Sequence, residues 1–487
     1  MAWSRNVVFV LTLLAKGSSF GAAAPNWQDK VQPSILAGAS AGSVPFIIYM
    51  QEKADLSGAV NLRTKAERGY WVYDQLHRVA DRSQHEILAI LDAQEIAYQR
   101  FWAANMILAG GSLDLVKSLA SREDVRGIYA NPTVHFAEPV DSTESGNAPN
   151  TIQWNVIQVT APDVWAQGFT GQGVVVGGED TGYQWDHPAL INHYRGWDGS
   201  MATHDYAWWD AIHDPAPGNP CGADSPFPCD DYGHGTHTMG TMIGDDGFGV
   251  QIGVAPGATW IGCRNMDRGN GTPARYTECF QWFIAPTDLT GQNPDPTMAP
   301  FVINNSWGCP PSEGCIDPNV LRDVVEATRA AGIVVVVSAG NSGPSCSTVI
   351  DPAAIYEASF SVGATNSSDT IAGFSSRGPV TIDGSNRLKP DISAPGVSVL
   401  SSVPRNSYGV LSGTSMAGPH VVGVVALILS AAPQLIGLPD DIQNLLEATA
   451  VPETTTQTCG GIGGDQIPNN TYGWGRVDAF SAYSALQ

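Results

Sequence analysis

Three apolar runs in this chain stop abruptly at small polar residues, and that arrangement limits the fold more than any other feature. Val174-Val175-Val176-Gly177-Gly178 ends at Glu179-Asp180-Thr181-Gly182. Phe301-Val302-Ile303 ends at Asn304-Asn305-Ser306-Trp307-Gly308. The run from Ile333 to Val337 ends at Ser338-Ala339-Gly340-Asn341. Apolar runs without polar alternation read as strands covered on both faces, the situation of a parallel sheet. The expected fold class is therefore α/β, a mostly parallel sheet with helices on both faces. Open sheets of this kind place their sites outside the C-terminal ends of the strands, where the polar clusters fall. A longer apolar stretch, Met416 to Ala431, has no proline after Pro419 and reads as a helix opened by Gly413-Thr414-Ser415.

The polar clusters carry complementary chemistry. A serine hydroxyl is a weak nucleophile until a base takes its proton. Imidazole is the base suited to neutral pH. A carboxylate must then hold the ring in one tautomer and stabilise its cation. Asp180 offers the carboxylate, and Gly233-His234-Gly235-Thr236-His237 offers the imidazole at His234. Ser415 offers the hydroxyl at a helix start, and Asn341 in Ala339-Gly340-Asn341-Ser342-Gly343 offers an amide donor. Singly, each motif is common: Asp-Thr-Gly is often a turn, and His-x-x-His is half a zinc site that here lacks a third ligand at a usual spacing. Together, in the order Asp, His, Asn, Ser, coincidence is a remote reading. A Gly-x-Ser-x-Gly elbow with acid and base following the serine is absent, which sets aside an α/β-hydrolase.

In these motifs, from about Gln153 to the C-terminus, the chain resembles the subtilisin-like serine peptidases (subtilases). The stretch His204-Asp205-Tyr206-Ala207-Trp208-Trp209-Asp210 and the run from Gly262 to Gly271 are similar to the bacillopeptidase F-like group within them. The resemblance implies a secreted endopeptidase that cleaves polypeptides through an acyl-enzyme, with Asp180, His234 and Ser415 as triad and Asn341 as oxyanion donor. It also implies that Ser306, Trp307 and Gly308 pair with substrate backbone as an added strand. Ser338, Ala339 and Gly340 would form the opposite wall of the pocket for the residue before the scissile bond, with Ile350-Asp351-Pro352 at its far end. For Trp307, packing in the core is an equally good reading. His187, His237 and His420 are expected to be structural companions of their motifs. Sedolisin-like peptidases share Gly-Thr-Ser but use Glu and Asp in place of His, against which His234 speaks. The rival from another class is a catalytically silent subtilase-fold protein that binds polypeptide.

The N-terminus reads as a signal peptide over residues 1–24. Arg5 precedes the apolar run Val7–Ala15, too short to span a bilayer, and Ala22-Ala23-Ala24 offers small residues for cleavage. No other apolar run reaches transmembrane length. Residues 25–150 differ in character from the rest. Residues 1–144 hold 13 basic and 15 acidic residues, against 11 and 32 afterwards, with Lys389 the only later lysine. Helical spacing over Gln84–Ile96, a second helix over Gly111–Ala120, and a strand and turn over Val125–Pro132 resemble the family's inhibitory propeptide. The polar stretch Ser142–Asn150 suits an exposed, processed linker. Residues 151–487 would be the catalytic domain.

The acidic, lysine-poor catalytic part excludes nucleic acid and anionic membranes as expected partners. Polypeptide substrates and the chain's own propeptide remain, and a monomer is expected. All eight cysteines follow the presumed propeptide, which with an export signal favours disulfides. Eight cysteines allow 105 pairings. Cys221 with Cys229, Cys263 with Cys279, and Cys309 with Cys315 would close local loops, leaving Cys346 and Cys459. No cofactor is expected. The family's calcium site often takes an Asp shortly after the His-Pro that follows the catalytic Asp, and here Asp186-His187-Pro188-Ala189-Leu190 has alanine there. At most weak calcium binding is expected, with Asp230-Asp231 and Asp245-Asp246 as remaining acidic pairs.

Overall fold

The computed structural model describes residues 26–135, 142–145 and 148–487; the expected signal peptide lies outside them. An N-terminal unit comes first. Its four-stranded antiparallel sheet comprises β1 (Val44–Met50), β2 (Tyr98–Phe101), β3 (Met106–Gly111) and β4 (Val125–Tyr129), in the order β2-β3-β1-β4. The helix expected over Gln84–Ile96 is the C-terminal part of a longer one, α1 (Lys65–Ala93). Thr64 caps it: its hydroxyl accepts from Glu67 N, and the Glu67 carboxylate accepts from Thr64 N.

Strand β1 is apolar throughout because both faces are covered. Phe46, Ile48 and Met50 join Ile87, Leu91, Leu115 and Leu119 in the unit's own core, whereas Ile47 and Tyr49 join the main core of the molecule. The period of two along a strand divides the two cores. The outer face of the sheet lies on two helices of the larger part, α3 (Pro273–Ile284) and α4 (Arg322–Ala330), which follow α2 (His234–Ile243) in the chain. Tyr49 donates to Val320 O at 2.7 Å, Lys53 pairs with Asp323 at 2.5 Å, and Gln281 Oε1 accepts from Trp102 N at 2.7 Å.

The larger part is built on seven parallel strands. In chain order they are β5 (Val175–Asp180), β6 (Trp208–Asp210), β7 (Thr259–Arg264), β8 (Val302–Asn305), β9 (Val334–Ser338), β10 (Phe360–Thr365) and β11 (Ile392–Pro395). Their order in the sheet is β11-β10-β9-β8-β5-β7-β6, every pair parallel. The three runs picked out in the sequence are β5, β8 and β9. Consecutive glycines in β5 show the two covered faces: Gly177 packs toward Phe283 of α3, and Gly178 toward Met239 of α2. The long helix α5 (Thr414–Ala431) packs beside α2 on the same side.

The chain leaves β5 toward β7 and later returns to its other side with β8. The C-terminal ends of β5 and β8 therefore form the topological switch point, where open sheets hold their sites. One expectation needs correcting. Among the described residues, Thr414–Ala431 is long and apolar enough to cross a membrane by length and composition. Its residues are nearly all buried against the sheet, so the apolarity serves the protein core.

The stretch Ser142–Asn150 also differs from a free linker. Ser142–Ser145 runs antiparallel to Ser407–Leu411 as the outer strand of a small sheet completed by Val399–Val403. Val134–His135 likewise pairs antiparallel with Asn270–Gly271. Backbone pairing accounts for both strands, and such pairing needs no apolar side chains.

Candidate active site

Asp180 ends β5, fully buried at the switch point. Its Oδ1 accepts from Thr181 N at 2.7 Å, and His234 Nδ1 lies 2.7 Å from Oδ1 and 2.9 Å from Oδ2. The ring's Nδ1–H thus donates to the carboxylate, which fixes the tautomer. His234 is the first residue of α2 and is 2% exposed. Burial holds the neighbouring Glu179 carboxyl well above the usual carboxylate range, while Asn265 Nδ2 donates to its Oε2. Strand alternation points the two acids to opposite faces, and Asp180 is the one that serves the imidazole.

The loop between them has one organiser that the sequence reading treated only as half of an acidic pair. Asp230 Oδ1 accepts from the Thr181 hydroxyl, Tyr232 N and Gly233 N at 2.9, 3.0 and 2.7 Å. Its Oδ2 accepts from Thr236 N and the Thr236 hydroxyl at 3.0 and 2.5 Å. Asp230 thereby ties the residue after Asp180 to the start of the helix that carries His234. Asp231 instead faces Arg264, Arg268 N and Asn219. Arg264 is itself fully buried, with a two-pronged pair to Asp210 at 2.9 and 2.8 Å. No sequence signal marked this network, because its members are far apart along the chain.

Ser415 is the second residue of α5, with its hydroxyl 3.5 Å from Ser306 O. The helix N-terminus supplies partial positive charge there. Asn341 follows β9 through Gly340, whose φ of +100° is a left-handed conformation suited to glycine. The Asn341 Oδ1 accepts from Thr414 N at 2.9 Å and the Thr414 hydroxyl at 2.8 Å. With the oxygen so held, Nδ2 is turned away from Thr414, and no described residue accepts from it. A β-carbon built on Gly413 would sit 3.4 Å from that nitrogen, so glycine leaves the amide room beside Ser415.

Ser306 and Ser338 lie at the ends of the adjacent strands β8 and β9, their hydroxyls 3.3 Å apart, and Ser306 also donates to Ser415 O at 3.1 Å. Gly308 and Gly340 continue the two walls, with Ala339 buried beneath. The Trp307 indole is 5% exposed and stacks on Tyr276 at 3.9 Å, which is the core-packing placement. The companion histidines are buried and bonded. His187 accepts from Ala189 N, His237 lies near Val399 O and Gly409 O, and His420 bonds Asn155 and Met416 O. Ala189 packs among Val250, Ile252, Leu400 and Tyr408, so a methyl in an apolar cluster stands where a calcium carboxylate was considered. Asp245 and Asp246 accept backbone N–H groups of their own turn. Among the described residues, no group of three or more His, Cys, Asp or Glu could hold a metal ion. The four disulfides are Cys221–Cys229, Cys263–Cys279, Cys309–Cys315 and Cys346–Cys459.

Comparison with known proteins agrees with this arrangement. Residues 171–475 match the subtilase family model. Bacillopeptidase F of Bacillus subtilis (strain 168) is 36% identical over 446 residues, covering 87% of this chain and 29% of that protein. The chain therefore spans less than a third of that relative's length. Subtilisin E of the same strain is 32% identical over 329 residues, 67% of this chain and 72% of the relative. M-protease of Shouchella clausii (strain KSM-K16) is 31% identical over 364 residues, 74% and 77% of the two. A buried Asp–His pair at the switch point, a serine opening a core helix, and these matches have one common reading: the chain belongs to the subtilase family of serine peptidases.

Proposed function

We propose that this protein is a secreted serine endopeptidase that hydrolyses polypeptides through an acyl-enzyme. The observation that carries the proposal is the buried, two-oxygen contact of Asp180 with His234 Nδ1 at 2.7 and 2.9 Å. Ser415 Oγ attacks the scissile carbonyl while His234 takes its proton at Nε2, and Asp180 stabilises the imidazolium. The negative charge formed on the carbonyl oxygen is met by Asn341 Nδ2 and by the N-terminus of α5. The tetrahedral species collapses to the Ser415 ester, and His234 delivers the proton to the departing amine. Water then repeats the sequence on the ester and restores the hydroxyl. No cofactor enters these steps, and any calcium binding is weak.

Residues 25–150 act in this proposal as an inhibitory propeptide, with the signal peptide at 1–24 directing export. Four disulfides suit an oxidising compartment. Val134–His135 beside the Asp267–Asn270 turn, and Ser142–Ser145 on the strand that leads into Ser412–Ser415, support a chain that crosses the site as a bound peptide does. The test uses the purified secreted protein with a fluorophosphonate probe. Labelling at Ser415, lost in Ser415→Ala, is expected, together with persistence of that variant as full-length precursor. An unlabelled wild type, with no hydrolysis of denatured casein, would leave a polypeptide-binding role in its place.

A further inference from the structure

The pocket for the residue before the scissile bond holds a carboxylate. Its walls leave two neighbouring parallel strands, Ser306-Trp307-Gly308 from β8 and Ser338-Ala339-Gly340 from β9. Paired strands run about 4.8 Å apart, and the slot opens where their pairing stops. Asp351 lies against both walls of that slot. A β-carbon on Gly308 would lie 2.7 Å from Asp351 Oδ1, and one on Gly340 would lie 3.2 Å from Oδ2. The carboxylate is thus in contact with both walls. Oδ1 accepts from Cys309 N at 3.2 Å, and no described residue donates to Oδ2.

No cation among the described residues pairs with this acid. The charged group that bears on it is Glu313, another acid, and burial with that neighbour pushes the carboxyl up to about 6. A partly buried carboxylate beside another acid loses hydration without an ion pair to offset the loss. The cheapest counter-ion is one that arrives with the substrate.

We propose that Asp351 sets the specificity of this site for polypeptides carrying arginine or lysine immediately before the scissile bond. The inference rests on the peptidase reading above and narrows it. A guanidinium or ammonium on a long apolar stem fits a slot with glycine walls and an acidic end, since the stem packs between Gly308 and Gly340 while the head meets Oδ2. The propeptide cut is an exception to this preference, because Gly127 to Asn150 contains no lysine or arginine. A tethered segment needs no help from this pocket, since its attachment supplies a high effective concentration for a single cut. The cut end then leaves Asp351 unpaired, holds the slot weakly, and yields it readily to a basic substrate.

The test compares fluorogenic peptides identical except for arginine, lysine, phenylalanine, leucine or glutamate before the reporter. Arginine and lysine are expected to exceed phenylalanine and leucine in kcat/KM by at least about tenfold, with glutamate the poorest. Equal or preferred cleavage after phenylalanine or leucine overturns the proposal. Asp351→Asn keeps the acceptor for Cys309 N and removes the charge. It should lower the arginine-to-phenylalanine ratio at least about tenfold. An unchanged ratio means that Asp351 only caps Cys309, and the proposal falls. If this variant does not accumulate, benzamidine tested against the wild type decides: competitive inhibition supports the acidic slot and its absence refutes it. Fluorophosphonate labelling without basic preference sinks the specificity alone, whereas absence of both labelling and hydrolysis sinks the peptidase reading with it.

Discussion

Asn341 shows how one residue divides its two functional groups between structure and chemistry. Its oxygen is held by Thr414, which leaves its nitrogen beside Gly413 for the proposed oxyanion role. Asn341→Leu should lower kcat about 10²–10³-fold with little change in KM, since the donor acts on charge that exists only in the transition state. Asn341→Gly keeps a permissive turn and should lose as much; near-normal kcat in that variant would assign the residue to the turn. The residues proposed as triad and oxyanion donor were conspicuous in the sequence, because the chemistry demands such residue types in short glycine-rich motifs. Asp230 was not: it looked like half of an acidic pair, and it takes its role from Thr181 and Thr236, which it meets only after folding. Asp351 was placed at the far end of the pocket by the resemblance, but its contact with Gly308 and Gly340 exists only in the folded chain.

At the level of elements, the two helices that present His234 and Ser415 are each anchored by a second, buried histidine. His237 is pushed down to about 3 and His420 to about 4, in both cases chiefly by desolvation. A free imidazole titrates near 6.5. Between about 6.5 and about 4, the unfolded chain therefore binds protons that the folded chain refuses. The stability is complete above the unfolded value and declines as pH falls through that window. Urea midpoints should begin to drop between pH 6.5 and 5, before ordinary carboxylates titrate; a flat profile over that interval would contradict neutral burial. The elements themselves were unevenly readable. β5, β8 and β9 were found to within a residue or two because nothing polar interrupts them. The helix α1 was only half seen. Its buried stripe runs Val72, Leu76, Ala80, Gln84, Ile87, Leu91, and the fully buried Gln84, bonded to Phe101 O and Asn105, breaks the apolar pattern in the middle. Ser142–Ser145 was unreadable as a strand, since its order comes from the partner backbone at Ser407–Leu411.

Across the whole molecule, the four disulfides close loops of very different length. Cys346–Cys459 spans 113 residues and joins the segment after Asn341 to the C-terminal region, whereas Cys309–Cys315 spans 6. By loop-closure entropy the long bridge contributes about 4.8 kcal/mol and the short one about 2. Replacing both cysteines of the long bridge by serine should therefore lower the unfolding free energy about twice as much as the same change in the short one; equal losses would point to local strain or packing instead. EDTA should shift the thermal midpoint little, and a large loss restored by calcium would reveal a site that the sequence and the Ala189 cluster both argue against. The N-terminal sheet has a further consequence. A sheet with both faces dry has no water-ready side: freed from α3 and α4, it would show Ile47, Tyr49, Phe101 and Met106 to solvent. Such an apolar surface invites collapse, aggregation or digestion. Release of the unit after a cut would then behave as a ratchet, because the departing piece is consumed faster than it can return.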